Sequence, residues 1–352
     1  MADTAPAKPH APAHAIPLRK VMPFAFVVLV IAGIPILISN AVVGTDYIIA
    51  AIAGVILALL GVGLVGGVRG GMITVGVTAV AATISVAVSP WPIAGAVWLG
   101  ILGAAVGLSG LRGWVAWTPS IAIWCSYLLV TPPQVGFASM FQGEPIVFSL
   151  HACVVTAAVV LACGVPIVFV APHLVRRVPP IPKPPALSTE ASLVMAVCLG
   201  LLLLVEAAVV LSDFRVPAAH WLLLTTLVVA QPSSGRTLHR GIHRAIGTTI
   251  GACIAAVIVL AGTPQGLRMT LGYVLVYCAG VLMLAARPYW MYATFLTPAV
   301  ILLAEGTVDG LSVTAARLGF TLAGILLAFG VMVIVSETER RWPARHRAAA
   351  PA

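Results

Sequence analysis

From Val21 to Ser336 the chain alternates long apolar runs with short breaks that carry its glycines, prolines and charges. The runs are on the order of 20 residues each, the length an α-helix needs to cross a bilayer. Read in order they predict twelve membrane-spanning helices, at 21–43, 47–66, 70–89, 92–111, 114–131, 147–171, 190–211, 218–231, 244–262, 269–286, 289–304 and 315–336. The expected fold is an all-α polytopic membrane protein in two six-helix repeats. The eighth run, between Pro217 and Pro232, is the shortest, roughly 24 Å as a continuous helix at 1.5 Å per residue. Interrupted segments of this kind line binding sites in transporters.

The breaks supply the domain plan. Residues 1–20 form a cytoplasmic tail rich in Ala and Pro, and the first run has the character of an uncleaved anchor. HLVRRVPPIPKPPALSTE ends the sixth run, and its prolines and basic residues stop a buried helix. This gives an N-terminal membrane half at 21–171, a linker at 172–189, a C-terminal half at 190–336 and a basic tail at 337–352.

Composition agrees with the runs: 61% of the 352 residues are hydrophobic and 8% are charged, against about 25% charged in an average globular protein. The net charge of +9 reports orientation and not a nucleic-acid partner. With the N-terminus in the cytoplasm, sixteen of the nineteen Lys and Arg fall inside, and only Arg215, Arg268 and Arg317 fall outside. The acids Asp46, Glu144, Asp213, Glu305 and Asp309 lie opposite. Both termini are therefore expected in the cytoplasm of a bacterial cell, the protein sitting in the inner membrane.

Repeats appear at two scales. Arg69 and Arg244 each open a run and stand 175 residues apart; Trp114 and Trp290, and Thr118 and Thr294, stand 176 apart. Within the second half, Trp221 and Thr225 precede Arg244, Thr248 and Gly251, and Trp290 and Thr294 precede Arg317, Thr321 and Gly324. The spacing i, i+4, i+7 places Arg, Thr and Gly on one helix face. The copies lie three runs apart and so point in opposite directions, the mark of an inverted repeat with its site near the midplane.

The segment HWLLLTTLVVAQPSSGRTLHRGIHRAIGTTIGA, 220–252, resembles the signature of the fusaric acid resistance-like family of inner-membrane proteins, which includes aromatic acid exporters. An aromatic residue and a threonine (Trp221, Thr225) open one helix; Gln231, Pro232 and Ser233 form the turn; Arg240 and Arg244 lead to Gly247 and Thr248. Arg317, Thr321 and Gly324 fit the family's last helix. The resemblance is good over 190–336 and thin over 21–171. Many relatives carry a large cytoplasmic domain, and between its halves this chain has only the linker. The resemblance implies export of small organic, in particular aromatic, acids; a related branch resembles plant anion channels.

The candidate site follows. Glu206, inside the seventh run, is the proton-coupling candidate, because a carboxyl there can take up and release a proton; the alternative is a surface pair with Arg215. Arg244 and Arg317 are candidates to attract an anion, with topology marking and a pair to Glu305 or Asp309 as their respective alternatives. Thr248, Thr321, Trp221, Thr225, Trp290 and Thr294, with Thr226, Thr297, Trp114 and Thr118, offer hydroxyls and stacking faces for a pathway, or else anchor and pack helices. Arg236 and Arg240 read as topology markers. His239 and His243 share a face without a third ligand, so no metal is expected, and the six cysteines read as packing residues. No nucleotide-binding loop is present, so no cofactor is expected, and the few, unclustered acids argue against an enzyme. The expected partners are a small organic anion and the lipid bilayer; a homo-oligomer and a periplasmic adaptor stay open. The competing readings are an anion channel of the same architecture and a scaffold subunit of an envelope assembly.

Overall fold

The computed structural model describes residues 17–114, 117–133, 145–175, 186–212, 219–230, 234–285, 287–304 and 310–348. The tail before residue 17, the linker at 176–185, the Gln231–Ser233 turn, Glu144, Asp213, Arg215, Glu305 and Asp309 lie outside the described residues. The described chain is helical and, among these residues, contains no strand. Its helices are α1 (Leu18–Val43), α2 (Ile48–Leu60), α3 (Gly67–Val88), α4 (Pro92–Leu108), α5 (Thr118–Val130), α6 (Pro145–Val175), α7 (Thr189–Ser212), α8 (His220–Val229), α9 (Ser234–Leu260), α10 (Gln265–Leu284), α11 (Tyr289–Ala304) and α12 (Gly310–Ala348).

Among the described residues, eight apolar stretches are long enough to cross a membrane, and three apolar helices, Thr118–Val130, His220–Val229 and Tyr289–Leu303, are shorter. These eleven fall one short of the expected twelve spans because Thr45–Val88, which covers two of them, is one continuous apolar stretch, and three of the eleven are shorter than a span. A π-helical segment, Gly61–Gly66, prolongs α2 up to a corner at Gly66 and Gly67. Their φ values of 123° and 57° are open to glycine and costly for other residues. The protein is a membrane protein by its apolar helices, and its outward faces bear this out: Phe26, Leu37, Val80, Ile93, Leu201, Val257 and Leu326 are exposed.

Small residues decide which helices meet, since lipid tails give apolar side chains no reason to prefer protein. On α4, a Cβ added to Gly107 would lie 2.4 Å from the Ala196 backbone of α7, and one on Gly103 would lie 2.9 Å from the Leu199 carbonyl. The two helices therefore pack backbone to backbone. Gly54 of α2 meets the Val160 carbonyl of α6, and Gly71 of α3 meets Val168 of α6. α1 rests on α10, where the Tyr277 hydroxyl donates to the Met22 carbonyl at 2.9 Å. α5 leans on α8 and so reaches the site described below.

Gly107→Leu is expected to force α4 and α7 apart and to destabilise the fold by at least about 3 kcal/mol, the upper end of the usual overpacking cost. Gly76→Leu, at a glycine with nothing within 4 Å, is the control. Thermal unfolding in detergent should separate the two variants clearly.

Candidate functional site

The site begins with the face that α9 turns inward. Leu238, Ile242, Ile246, Ile250 and Ile254 recur every four residues and are exposed, whereas Thr237, Arg244, Thr248, Ala252 and Ala255 are buried. A soluble helix does the reverse; here the solvent is lipid, so the apolar stripe faces out and the polar one must find the protein interior. α12 repeats the arrangement, with Leu322, Leu326 and Val333 outside and Arg317, Thr321 and Ala328 inside. Arg244 is 2% exposed and Arg317 1%.

The two arginine helices exchange partners. α9 packs on α11, the tryptophan helix of the second copy: a Cβ on Gly247 would lie 2.5 Å from the Trp290 carbonyl, and one on Gly251 2.7 Å from that of Thr294. Pro298, four residues on, has no N–H to offer that Thr294 carbonyl. α12 packs on α8, the tryptophan helix of the first copy, with Gly324 against the Leu222 carbonyl and Thr225. Gly251 thus meets Thr294 as Gly324 meets Thr225, the matching positions of the echo in the sequence.

Between these helices the guanidiniums are underserved. Arg317 lies over the Trp221 ring, 3.5 Å from its centroid. Arg244 donates from Nη1 to the Tyr289 hydroxyl at 3.1 Å. The Nε and Nη2 of both arginines are buried with no hydrogen-bond partner, as are the hydroxyls of Thr225, Thr248, Thr297 and Thr321. The two charges are close enough to act on one another electrostatically. In α3, by contrast, Thr74 and Thr78 return their hydroxyls to carbonyls four residues back. An unmet buried donor costs about 1–3 kcal/mol, and more when charged. What satisfies several N–H groups and hydroxyls around two cations at once is an anion with several oxygens.

Glu206 stands beside this arrangement. It is 3% exposed; its Oε1 accepts from Thr226 Oγ1 at 2.7 Å, and Oε2 is buried without a partner. Its described partner is thus a hydroxyl on α8, while Arg215, the alternative partner, lies outside the described residues. Thr226 Oγ1 also lies 3.5 Å from the Gly324 carbonyl of α12, so one hydroxyl faces both the acid and the backbone of the Arg317 helix.

Two contributors escaped the sequence reading. His220 is buried, with Nδ1 3.3 Å from Ser126 Oγ of α5 and its ring 4.6 Å from that of Tyr127. Tyr289 holds Arg244 and carries Arg240 over its ring, 4.9 Å from the centroid. Each stands directly before the tryptophan of its copy, 69 residues apart like the tryptophans themselves. The echo, extended by one position, would have found both.

Other expected residues fall elsewhere. Trp290 is half-buried and its carbonyl takes the Thr294 hydroxyl at 2.9 Å. Trp114 and Thr118 are not in the arginine site: Trp114 lies beside Trp117 and under Arg112, and Thr118 Oγ1 is 2.7 Å from Ser109 Oγ. Arg69 is exposed, unlike Arg244 with which it is in register. Among the described residues every buried charged or imidazole side chain, Glu206, His220, Arg244 and Arg317, is in the C-terminal half. The His239 and His243 rings are 4.0 Å apart, and among the described residues no three His, Cys, Asp or Glu group to hold a metal. Cys125, Cys153 and Cys163 are buried as packing residues are, whereas Cys253 is exposed.

Residues 196–331, from within α7 to within α12, match the family described as fusaric acid resistance protein-like, so this part of the chain is similar to that family. A domain of that family points to membrane transport. No curated protein and no solved structure matches the chain.

Proposed function

With similarity to the fusaric acid resistance protein-like family as the premise, we propose that the protein is a secondary exporter of small organic acids, aromatic carboxylates above all, driven by the proton gradient. The observation that carries this reading is the pair of buried arginines, Arg244 and Arg317, whose Nε and Nη2 atoms have no partner. A permanent structural role would call for those donors to be met; a site that fills and empties leaves them waiting for cargo oxygens. The Trp221 ring beneath Arg317 adds an apolar, polarisable surface beside the charge. Glu206 is the proton carrier, with Oε2 unpartnered and Thr226 linking it to α12.

The architecture proposed with it is two six-helix halves, 21–171 and 190–336, joined by the linker, with both termini in the cytoplasm of the inner membrane. The packing of α4 on α7 and of α1 on α10 supports the two halves, because each joins a first helix of one half to a fourth helix of the other. The exchanged packing of α9 on α11 and α12 on α8 supports an inverted repeat inside the second half.

The test is efflux of radiolabelled benzoate from cells expressing the protein, with and without an uncoupler. The expected result is saturable efflux above empty-vector cells that collapses with the proton gradient. Efflux equal to empty vector across a panel of aromatic and aliphatic carboxylates would rule the reading out.

A further inference from the structure

The two arginines of the site are not in the same state. Arg317 meets the face of Trp221 and no oxygen among its described hydrogen bonds, whereas Arg244 already gives Nη1 to the Tyr289 hydroxyl. Tyr289 is the first residue of α11, which starts directly after Pro288, so a rigid turn fixes where the phenol enters. Arg240 and Arg244 lie one turn apart on the same side of α9. The Tyr289 ring carries the first and its hydroxyl holds the second. Arg240 is half-buried and its own Nε lacks a partner. The basic residues of α9 thus form a short ladder from partly exposed to fully buried, and Tyr289 is a neutral group that touches both of its rungs.

A phenol oxygen on a guanidinium is a weak stand-in for a carboxylate. It accepts one hydrogen bond without charge, whereas a carboxylate accepts two in the fork geometry and brings the opposite charge. Nε and Nη2 of Arg244 remain open beside it.

Resting on the exporter reading above, we propose that Tyr289 is a specificity-determining cap: its hydroxyl holds, on Arg244, the acceptor position that a cargo carboxylate takes over. Cargo that brings only a neutral oxygen exchanges one neutral acceptor for another and gains little. An anion gains the charge-assisted fork and displaces the cap. Tyr289 thereby raises the threshold for entry and makes the site discriminate by charge before shape. The cap also explains why Arg244 and Arg317 are served unequally although their helices pack alike.

The test uses the purified full-length protein in detergent, with potassium benzoate as the probe and isothermal titration as the readout. Removing the competing hydroxyl in Tyr289→Phe is expected to tighten benzoate binding about tenfold, the scale of one neutral hydrogen bond to a charged group. In efflux the same variant should lower KM with little change in maximal rate. Tyr289→Leu also lacks the hydroxyl and should move the same way, so a poorly folding Phe variant leaves a second arm. If wild type binds benzoate and both variants bind it equally or more weakly, the hydroxyl is a cargo contact or a structural one, and the cap is overturned while the exporter reading stands. If wild type binds neither benzoate nor any other carboxylate, the exporter reading falls and the cap with it.

Discussion

Arg317→Met is expected to abolish saturable benzoate efflux while leaving the ligand-free protein as stable as wild type, or more so. The two effects have one cause. Arg317 is 1% exposed, and its Nε and Nη2 have no partner, so its charge is desolvated and answered, among the described contacts, by the Trp221 face alone. Replacing a buried ionic group by an apolar one of similar volume is often neutral or stabilising by about 1–4 kcal/mol. Methionine fills the space of the guanidinium stem and keeps contact with Trp221 through its sulfur. Loss of a buried charge that pairs with cargo costs about 2–5 kcal/mol, on the order of 30- to 4,000-fold in affinity. Thermal unfolding should show an unchanged or raised midpoint for Arg317→Met and no stabilisation by benzoate, where wild type is stabilised. Arg317→Lys keeps a charge but not the planar fork or its stacking on Trp221, so it should retain a small part of the efflux. A sharp drop in the unfolding midpoint of Arg317→Met would instead make the arginine a structural element. The same experiment on Arg244 has the same expected sign, with a smaller stability gain, because Arg244 already has the Tyr289 hydroxyl.

The helical architecture was legible because lipid imposes one rule along the whole chain: apolar runs of spanning length separated by punctuation. Most expected runs lie within a few residues of a helix, but α9 starts ten residues before its expected run and α12 ends twelve after its own. The runs at 47–66 and 70–89 are not separate spans, since the Gly61–Gly66 segment keeps α2 helical up to its corner with α3. Nothing in an apolar hexapeptide distinguishes a π-helical continuation from a break. Arg244, Arg317, Thr248 and Thr321 were legible because charge and hydroxyls at i, i+4 on an apolar helix have to turn inward. That Arg317 meets Trp221, the tryptophan of the other copy, was not legible, because periodicity says which face is polar but not which helix it meets. That choice was made by Gly247, Gly251 and Gly324, each within touching distance of a carbonyl or side chain of the opposite copy. Trp114 and Thr118 misled for the same reason: they keep the register of the repeat, but the N-terminal half lacks a buried arginine to answer them among the described residues. His220 and Tyr289 differ from each other in side chain, so a search for identical residues passed over them.

Glu206→Gln is expected to uncouple transport without emptying the site. Glutamine keeps the size of the side chain and a carbonyl oxygen for the Thr226 hydroxyl, which now bonds Oε1 at 2.7 Å, but it cannot exchange a proton. Helix packing and the arginines should be untouched, so benzoate should still bind and move down its own gradient. What is lost is work. One pH unit across a membrane is worth about 1.4 kcal/mol per proton, and so supports about a tenfold gradient of a cargo coupled one to one. In proteoliposomes held at zero membrane potential with an imposed gradient of one unit, wild type should therefore drive benzoate toward the acidic side, against the direction in which free benzoic acid distributes, and Glu206→Gln should not, both showing equal exchange in the absence of the gradient. Thr226→Val should fall between them, since it leaves the carboxyl able to ionise but removes the hydroxyl that also faces the Gly324 carbonyl at 3.5 Å. Full accumulation by Glu206→Gln would move the coupling site elsewhere. Conduction without accumulation in wild type itself would mean that the same arginines line a channel, with Glu206 then acting on gating or on stability alone.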